Sequence, residues 1–269
     1  MSENVNIFLE NASTFRLGAF LVVFVFFLVF ENVCPFQKVH TPQLQRRITN
    51  LILVFLSSLL VRLVLPITVL AMAVVARDNG WGLLNYLKID FLVALILSVV
   101  FFDVGIYWQH RVFHLVPFLW AFHRVHHADR GVDVTTGVRF HPIEMVLSVL
   151  FKLALVLLLG ASPEAVLLFE IVLNLSAMFS HSNIRISPRL EPMIRTLFVT
   201  PDMHRIHHSV SEAEMNNNFG FCLSLWDKVF RSYQQSPRGD KNNMVLGLSA
   251  YQDTQPIKLW WCLTLPFKR

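Results

Sequence analysis

Charge is what this chain has least of. Of its 269 residues only 15% are Asp, Glu, Lys or Arg, against 54% hydrophobic, and mean hydropathy is +0.52. An ordinary soluble domain is about a quarter charged. The balance here excludes one and fits a polytopic membrane protein. Cysteine is nearly absent as well: Cys34, Cys222 and Cys262 lie far apart, are odd in number and form no Cys-x-x-Cys. A disulfide framework and a cysteine-based metal site are therefore excluded. The chain has no Gly-x-Gly-x-x-Gly, no cysteine cluster and no obvious haem-binding module, so no built-in electron carrier is legible. Low-complexity segments and repeats of fixed period are also missing. The net charge of +5 and pI of about 9.3 would suggest nucleic acid in a soluble protein. Here they read as loops biased towards Lys and Arg on one side of a bilayer, and no nucleic-acid partner is expected.

The apolar runs predict an all-α membrane bundle of about four to five spans carrying a helical cap, in one domain over residues 1–269. N-terminal spans fall within 17–108, a first histidine-rich loop over 109–142, a helical hairpin over 143–180 and a cap over 181–269. Residues 1–16 read as a polar, flexible extension. The run 17–34 has one Arg before it and no small-residue cleavage site after it, so it reads as a retained span. The run 51–76, interrupted by Arg62 and Pro66, reads as one tilted, kinked span. The next is 89–108, and 143–160 with 163–180 make a tight hairpin. Residues 258–267, with adjacent Trp260 and Trp261, read as an interfacial segment.

Placing the histidine-rich loops in the cytoplasm puts three Lys/Arg in 35–50, four in 109–142 and eleven in 182–269, against only Arg16, Arg77 and Lys88 opposite. That asymmetry follows the positive-inside rule. Within the hairpin, Lys152 and Glu170 sit at similar depth on opposite arms. They are expected to face each other, because a lone charge there is costly. The alternative is that Lys152 snorkels and Glu170 bonds elsewhere. Arg62 has no partner that can be named.

Histidine is what is there in excess. Eight of 11 histidines fall in three clusters: His110 and His114; His123, His126 and His127; His204, His207 and His208. The last two share the spacing His-x-x-His-His. Positions i, i+3 and i+4 of a helix share a face, and imidazole is the commonest metal-binding side chain. Pro117 suits the first turn of a helix through His127. Thr200-Pro201-Asp202 suits a helix start, with a Thr cap, Pro at the first position and an acid at the positive end of the dipole. Asp103, Tyr107, His110 and His114 form one helical stripe, so His110 and His114 are expected to be ligands backed by Asp103 and Tyr107. Eight imidazoles exceed the roughly four that one ion needs, so a dinuclear metal site is expected. His181, on a stripe with Glu170 and Asn174, is expected to be a ninth ligand, with Asn183 behind it. His141 either begins a span or joins the ligands. His40 reads as a surface residue.

The His-x-x-x-His, His-x-x-His-His, His-x-x-His-His series on a multi-span chain resembles the fatty acid hydroxylase / sterol desaturase superfamily. The matching pieces are DVGIYWQHRVFH (103–114), His123 to His127, RFHPIE (139–144), HSN (181–183) and PDMHRIHH (201–208). NNFG (217–220) and LWD (225–227) resemble its later segment. The resemblance covers residues 90–235; segment 31–50 maps to nothing in it.

The resemblance implies a multi-pass membrane oxidoreductase that uses O2 at a non-haem di-iron centre. It would hydroxylate or desaturate an unactivated C–H bond of a fatty acyl chain, sterol, sphingolipid or ether lipid. Zinc could replace iron in purified samples. Electrons would come from an external donor, a ferredoxin or a b-type cytochrome with its reductase, for which Arg124, Arg130 and Arg205 offer a basic docking face. The membrane would be a bacterial inner membrane or the endoplasmic reticulum, with the metal on the cytoplasmic side. Two rivals are a zinc-dependent membrane hydrolase and a metal-binding or transport protein. The first usually carries a Glu inside the motif, which is missing here; the second would string histidines through the spans rather than gather them at one surface. A third, within the family, is a lyase or inactive member.

Overall fold

The computed structural model describes residues 11–39 and 41–268; His40 and the first ten residues of the expected extension lie outside these. Every regular element among the described residues is helical, with only isolated β-bridges. In chain order they are α1 Ala12–Val33, α2 Gln43–Val64, α3 Val69–Asp78, α4 Leu83–Tyr86, α5 Phe91–Leu115, α6 Pro117–His127, α7 Pro142–Leu159, α8 Pro163–His181, α9 Glu191–Arg195, α10 Pro201–His207, α11 Glu212–Met215, α12 Leu225–Val229 and α13 Leu259–Thr264. Among the described residues five segments are long and apolar enough to cross a membrane: α1, the run Gln43–Tyr86, α5, α7 and α8. The expected extension is shorter than its polarity suggested, since residues 12–16 already belong to α1.

The kinked second span is borne out, and proline is the reason. Pro66 cannot donate a backbone N–H and pushes the residue before it out of the helical region. Leu65 is extended, and α3 restarts behind a Thr68 cap whose hydroxyl accepts from Ala71 N at 3.1 Å. This broken helix runs the length of α7. Ser57 bonds the carbonyl of Phe140 just before α7 begins, and Asn85 bonds that of Gly160 just after it ends. Gly160 turns the hairpin in the left-handed region (φ 71°), and a Cβ there would meet Trp81 O at 2.3 Å. Ser162 and Pro163 then start α8 as cap and first residue.

Between the hairpin arms, Lys152 Nζ lies 3.2 Å from Glu170 Oε1, as expected, and Arg16 of α1 reaches the other carboxylate oxygen at 2.7 Å. α5, at 25 residues, is about 37 Å long at 1.5 Å per residue. It outruns a core of about 30 Å, so its last turns deliver His110 and His114 to the polar end. The bundle's apolar core joins α3, α5, α7 and α8, with Phe102 stacked on Phe169 at 5.1 Å.

The C-terminal segment corrects the sequence reading. Trp261, Cys262 and Leu265 are buried against Leu53, Val125 and Ala128, behind the histidine-bearing α6. Adjacent residues on a helix point about 100° apart, so Trp260 (76% exposed), with Phe267 beyond the helix, keeps the interfacial character while Trp261 does not.

Candidate metal centre

Two loop-to-helix starts aim the triplets. Val116 is extended and Pro117 opens α6; Thr200 caps α10, its hydroxyl accepting from Met203 N at 3.3 Å, and Pro201 opens it. Both are as the sequence indicates. With His110 and His114 from α5 and His181 as the last residue of α8, nine imidazoles meet in the interior. They fall into two groups. His110, His114, His123, His127 and His207 form one; His126, His181, His204 and His208 form the other, and in each the candidate donor atoms all lie within 4.8 Å of one another. Each triplet is divided. His123 and His127 turn to the first group and His126 to the second, while His204 and His208 turn to the second and His207 to the first. The groups adjoin: His127 and His208 have ring centroids 4.6 Å apart.

The hydrogen bonds behind the rings decide what these nitrogens can do. Nδ1–H donates to a backbone carbonyl in His110 (Phe219 O, 2.8 Å), His126 (Arg139 O, 3.2 Å), His181 (Ala177 O, 2.7 Å) and His207 (Asn217 O, 2.7 Å). In His123 it donates to Glu144 Oε1 at 2.5 Å. A neutral ring with its proton on Nδ1 presents a bare lone pair at Nε2. Those Nε2 atoms converge: His207 and His110 at 3.1 Å, His181 and His126 at 3.2 Å, His204 and His181 at 3.0 Å, His208 and His204 at 3.2 Å. His114 Nε2, His123 Nε2 and both nitrogens of His127 are buried without a hydrogen-bond partner.

Where both rings carry their proton on Nδ1, as in His110–His207 and His126–His181, lone pairs at about 3 Å face each other with no donor between them and repel. Protonation cannot relieve this in a dry interior. Burial first, and the neighbouring imidazoles second, hold His126, His127, His204 and His208 well below their ordinary pKa, and burial holds His207 down at about 3. Convergent, neutral, backed imidazoles are the donor set of a nitrogen-ligated metal site, so the residues present fit two metal ions.

Several backing residues differ from expectation. Asp103 does not touch a histidine. It accepts from Cys222 N, Leu223 N and Trp226 Nε1 (2.7 Å), pinning the later segment to the middle of α5. Tyr107 bonds Ser232 (2.8 Å) and Arg111 (3.1 Å). Asn183 bonds the backbone of Gln37, tying residues 36–37 to the end of α8. Asp103 and Tyr107 sit on α5 and Asn183 just past the end of α8, but their partners come from elsewhere in the chain. His141 caps α7, with Nδ1 accepting from Ile143 N at 3.2 Å, and stands outside both groups.

The residue missed was Glu144. Its signal was available: an acid in the first turn of an apolar span directly after a histidine-rich loop. The later segment also gains a role. Asp227 accepts from Phe219 N and Gly220 N, both at 2.8 Å, and so fixes the carbonyl that backs His110. Burial raises its carboxyl to about 6. Behind the second group, Arg46 is fully buried between Asp129 (2.9 Å) and Asp133, although it read as a loop charge. Arg139, fully buried too, bonds Val125 O, Asn50 and Pro256 O. Of the expected docking face only Arg205 is corrected, by its burial; Arg124 and Arg130 remain half-buried. Arg205 is buried against Asp202 and Phe36, and Arg124 and Arg130 bond the carbonyls of Leu265, Lys268 and Asp253.

A cavity of about 120 Å³ lies between α5, α7 and α8 and ends on His110 and His123 of the first group. The fatty acid hydroxylase family model matches residues 95–232, which hold all nine histidines, Glu144 and Asp227. This chain belongs to that family.

Among its relatives, ornithine lipid hydroxylase OlsE of Rhizobium tropici is 35% identical over 147 residues, 53% of this chain and 42% of the relative. Human alkylglycerol monooxygenase is 29% identical over 158 residues, 58% of this chain and 34% of the relative. The very-long-chain aldehyde decarbonylase GL1-1 of Oryza sativa subsp. indica is 31% identical over 146 residues, 51% of this chain and 23% of the relative. The chain thus spans less than half the length of each of these relatives. No solved structure matches it.

Proposed function

We propose that this protein is a membrane oxygenase that hydroxylates or desaturates an unactivated C–H bond of a lipid. The observation that carries the reading is the pair of convergent imidazole groups, one of which forms the end of a cavity between spans. His110, His114, His123, His127 and His207 would hold one iron, and His126, His181, His204 and His208 the other. Bound there, the two irons supply the dioxygen activation that an unreactive C–H bond requires.

The chain's own residues do the rest. Glu144, by accepting Nδ1–H of His123, turns that ring and raises its basicity. The carbonyls of Phe219, Asn217, Arg139 and Ala177 do the same for four others without adding charge. Phe140, Phe219 and Phe221, in contact with the imidazoles, keep water away. Either outcome consumes one O2 with two electrons and two protons, so an electron donor outside the described fold is required, a ferredoxin or a b-type cytochrome with its reductase. The Lys/Arg asymmetry supports a cytoplasmic position for the histidine-bearing end. Hydroxylase and monooxygenase relatives favour oxygenation over the zinc-hydrolase reading.

The test is metal analysis with Mössbauer spectroscopy after gentle anaerobic purification, together with oxygen consumption on lipid extracts. Two irons per chain and lipid-dependent oxygen uptake are expected. Stoichiometric zinc with no iron would sink the oxygenase. Comparative lipidomics of cells with and without the gene would then name the lipid.

A further inference from the structure

The cavity beneath His110 and His123 has a polar wall where an alkyl chain would need none. Its volume, about 120 Å³, holds about four water-sized groups of about 30 Å³ each. On α7, Glu144, Ser148 and Lys152 form a stripe at i, i+4 and i+8 that leads away from the metal groups. Eight residues at 1.5 Å place its far end about 12 Å from Glu144. There Lys152 and Arg16 share the single carboxylate of Glu170, one on each oxygen. Gln109 of α5 and Asn174 of α8 complete the polar wall.

These groups are poorly satisfied within the protein. Ser148 Oγ–H reaches Gln109 Oε1 only at 3.5 Å, the limit of a hydrogen bond. The amide nitrogen of Gln109 and the whole Asn174 amide have no hydrogen-bond partner among the described residues. Glu144 Oε2 is buried and unpartnered. Asn174 is exposed on a span, so the chamber opens on that side towards the apolar belt. Unpaired amides at that depth are costly, and three helices contribute to the same arrangement.

We infer that this chamber reads a neutral hydrogen-bonding group of the lipid, a hydroxyl or an amide, carried within a few bonds of the C–H bond that is oxidised. Gln109, Ser148 and Asn174 are specificity-determining residues, and the Lys152–Glu170 pair is the floor. Two side-chain amides and a hydroxyl offer both donors and acceptors, which suits a group that does both. The assignment rests on the oxygenase reading for the bond that is oxidised, but not for binding itself.

The experiment measures equilibrium retention of radiolabelled dodecanamide, 1-dodecanol and dodecane by the full chain in nanodiscs, each corrected for empty nanodiscs. The wild type is expected to retain the amide and the alcohol about tenfold better than the alkane. Gln109→Leu, Asn174→Leu and Ser148→Ala should each narrow that preference by about threefold to tenfold, the worth of one hydrogen bond. Metal content should be unchanged, which separates lost recognition from a disturbed centre. Ser148→Ala is small enough to fold even where a leucine is not tolerated. Equal retention of all three probes by the wild type, or a preference untouched by all three variants, overturns the inference. Selective retention without oxygen uptake supports the chamber and sinks only the oxygenase reading; oxygen uptake without selectivity does the reverse.

Discussion

The two imidazole groups are built from the same motif but placed in different surroundings. The five-histidine group borders the cavity through His110 and His123 and is backed by a carboxylate, Glu144. The four-histidine group lies away from the cavity, has carbonyls behind His126 and His181 and no carboxylate, and the buried Arg46–Asp129–Asp133 cluster holds its supporting loop. A repeated sequence motif thus yields two inequivalent sites, because each triplet is split between them. The difference is one of access: the cavity reaches the first group and not the second.

The largest effect expected is from deleting a ligand. His126→Ala, in the second group, should abolish turnover and lower the metal content, read by elemental analysis; wild-type loading would remove His126 from the ligand set. His123→Ala should also abolish turnover, but through the metal next to the cavity. If both variants lost the same metal, the two-group description would fail.

Next is Arg46→Met. Removing one partner of a buried ion pair costs about 3–5 kcal/mol, and here two carboxylates are left, with Arg47, at 2.9 Å from Asp133, the one cation among the described residues still in ion-pair range. Thermal denaturation in detergent should show that loss, and the second group should release its metal before the first. Glu144→Gln should act the other way round. It should cost about 10–100-fold in affinity for one metal, with the first group emptying first under chelator competition. Equal release from both groups in either variant would erase the contrast.

Taken per unit of pH, the smallest effect is that of acid on one histidine. His207, held at about 3 in the fold, has an ordinary pKa of about 6.5. Below about 6.5 the unfolded chain binds a proton that the native chain refuses. Metal-free protein should therefore be fully stable above pH 6.5 and lose up to about 1.4 kcal/mol per pH unit from this one residue as pH falls towards 3. A flat melting temperature between pH 7 and 4 would contradict the dry, neutral centre.

Much of this was legible in the chain. Span positions, the Pro66 break, the Thr200-Pro201 start and the Lys152–Glu170 pair follow from periodicity, capping and the cost of a lone charge in lipid, all of which act within a few residues or across a tight hairpin. The gathering of histidines was legible because i, i+3 and i+4 spacing is a local geometric fact.

What only the tertiary structure decided is which partner each polar group meets across the fold. Asp103 read as a support for His110 because both lie on one stripe, yet its bonds go to Cys222, Leu223 and Trp226, more than a hundred residues away. Arg46 read as a loop charge, and its burial depends on Asp129 and Asp133 arriving from another loop. The division of each His-x-x-His-His between two metal positions depends on how α6 and α10 are rotated against α5 and α8. The sequence by itself determined that the imidazoles would share a face; packing across distant helices determined which nitrogen faces which, because hydrogen bonds and lone-pair contacts act over about 3 Å and no local pattern encodes that approach.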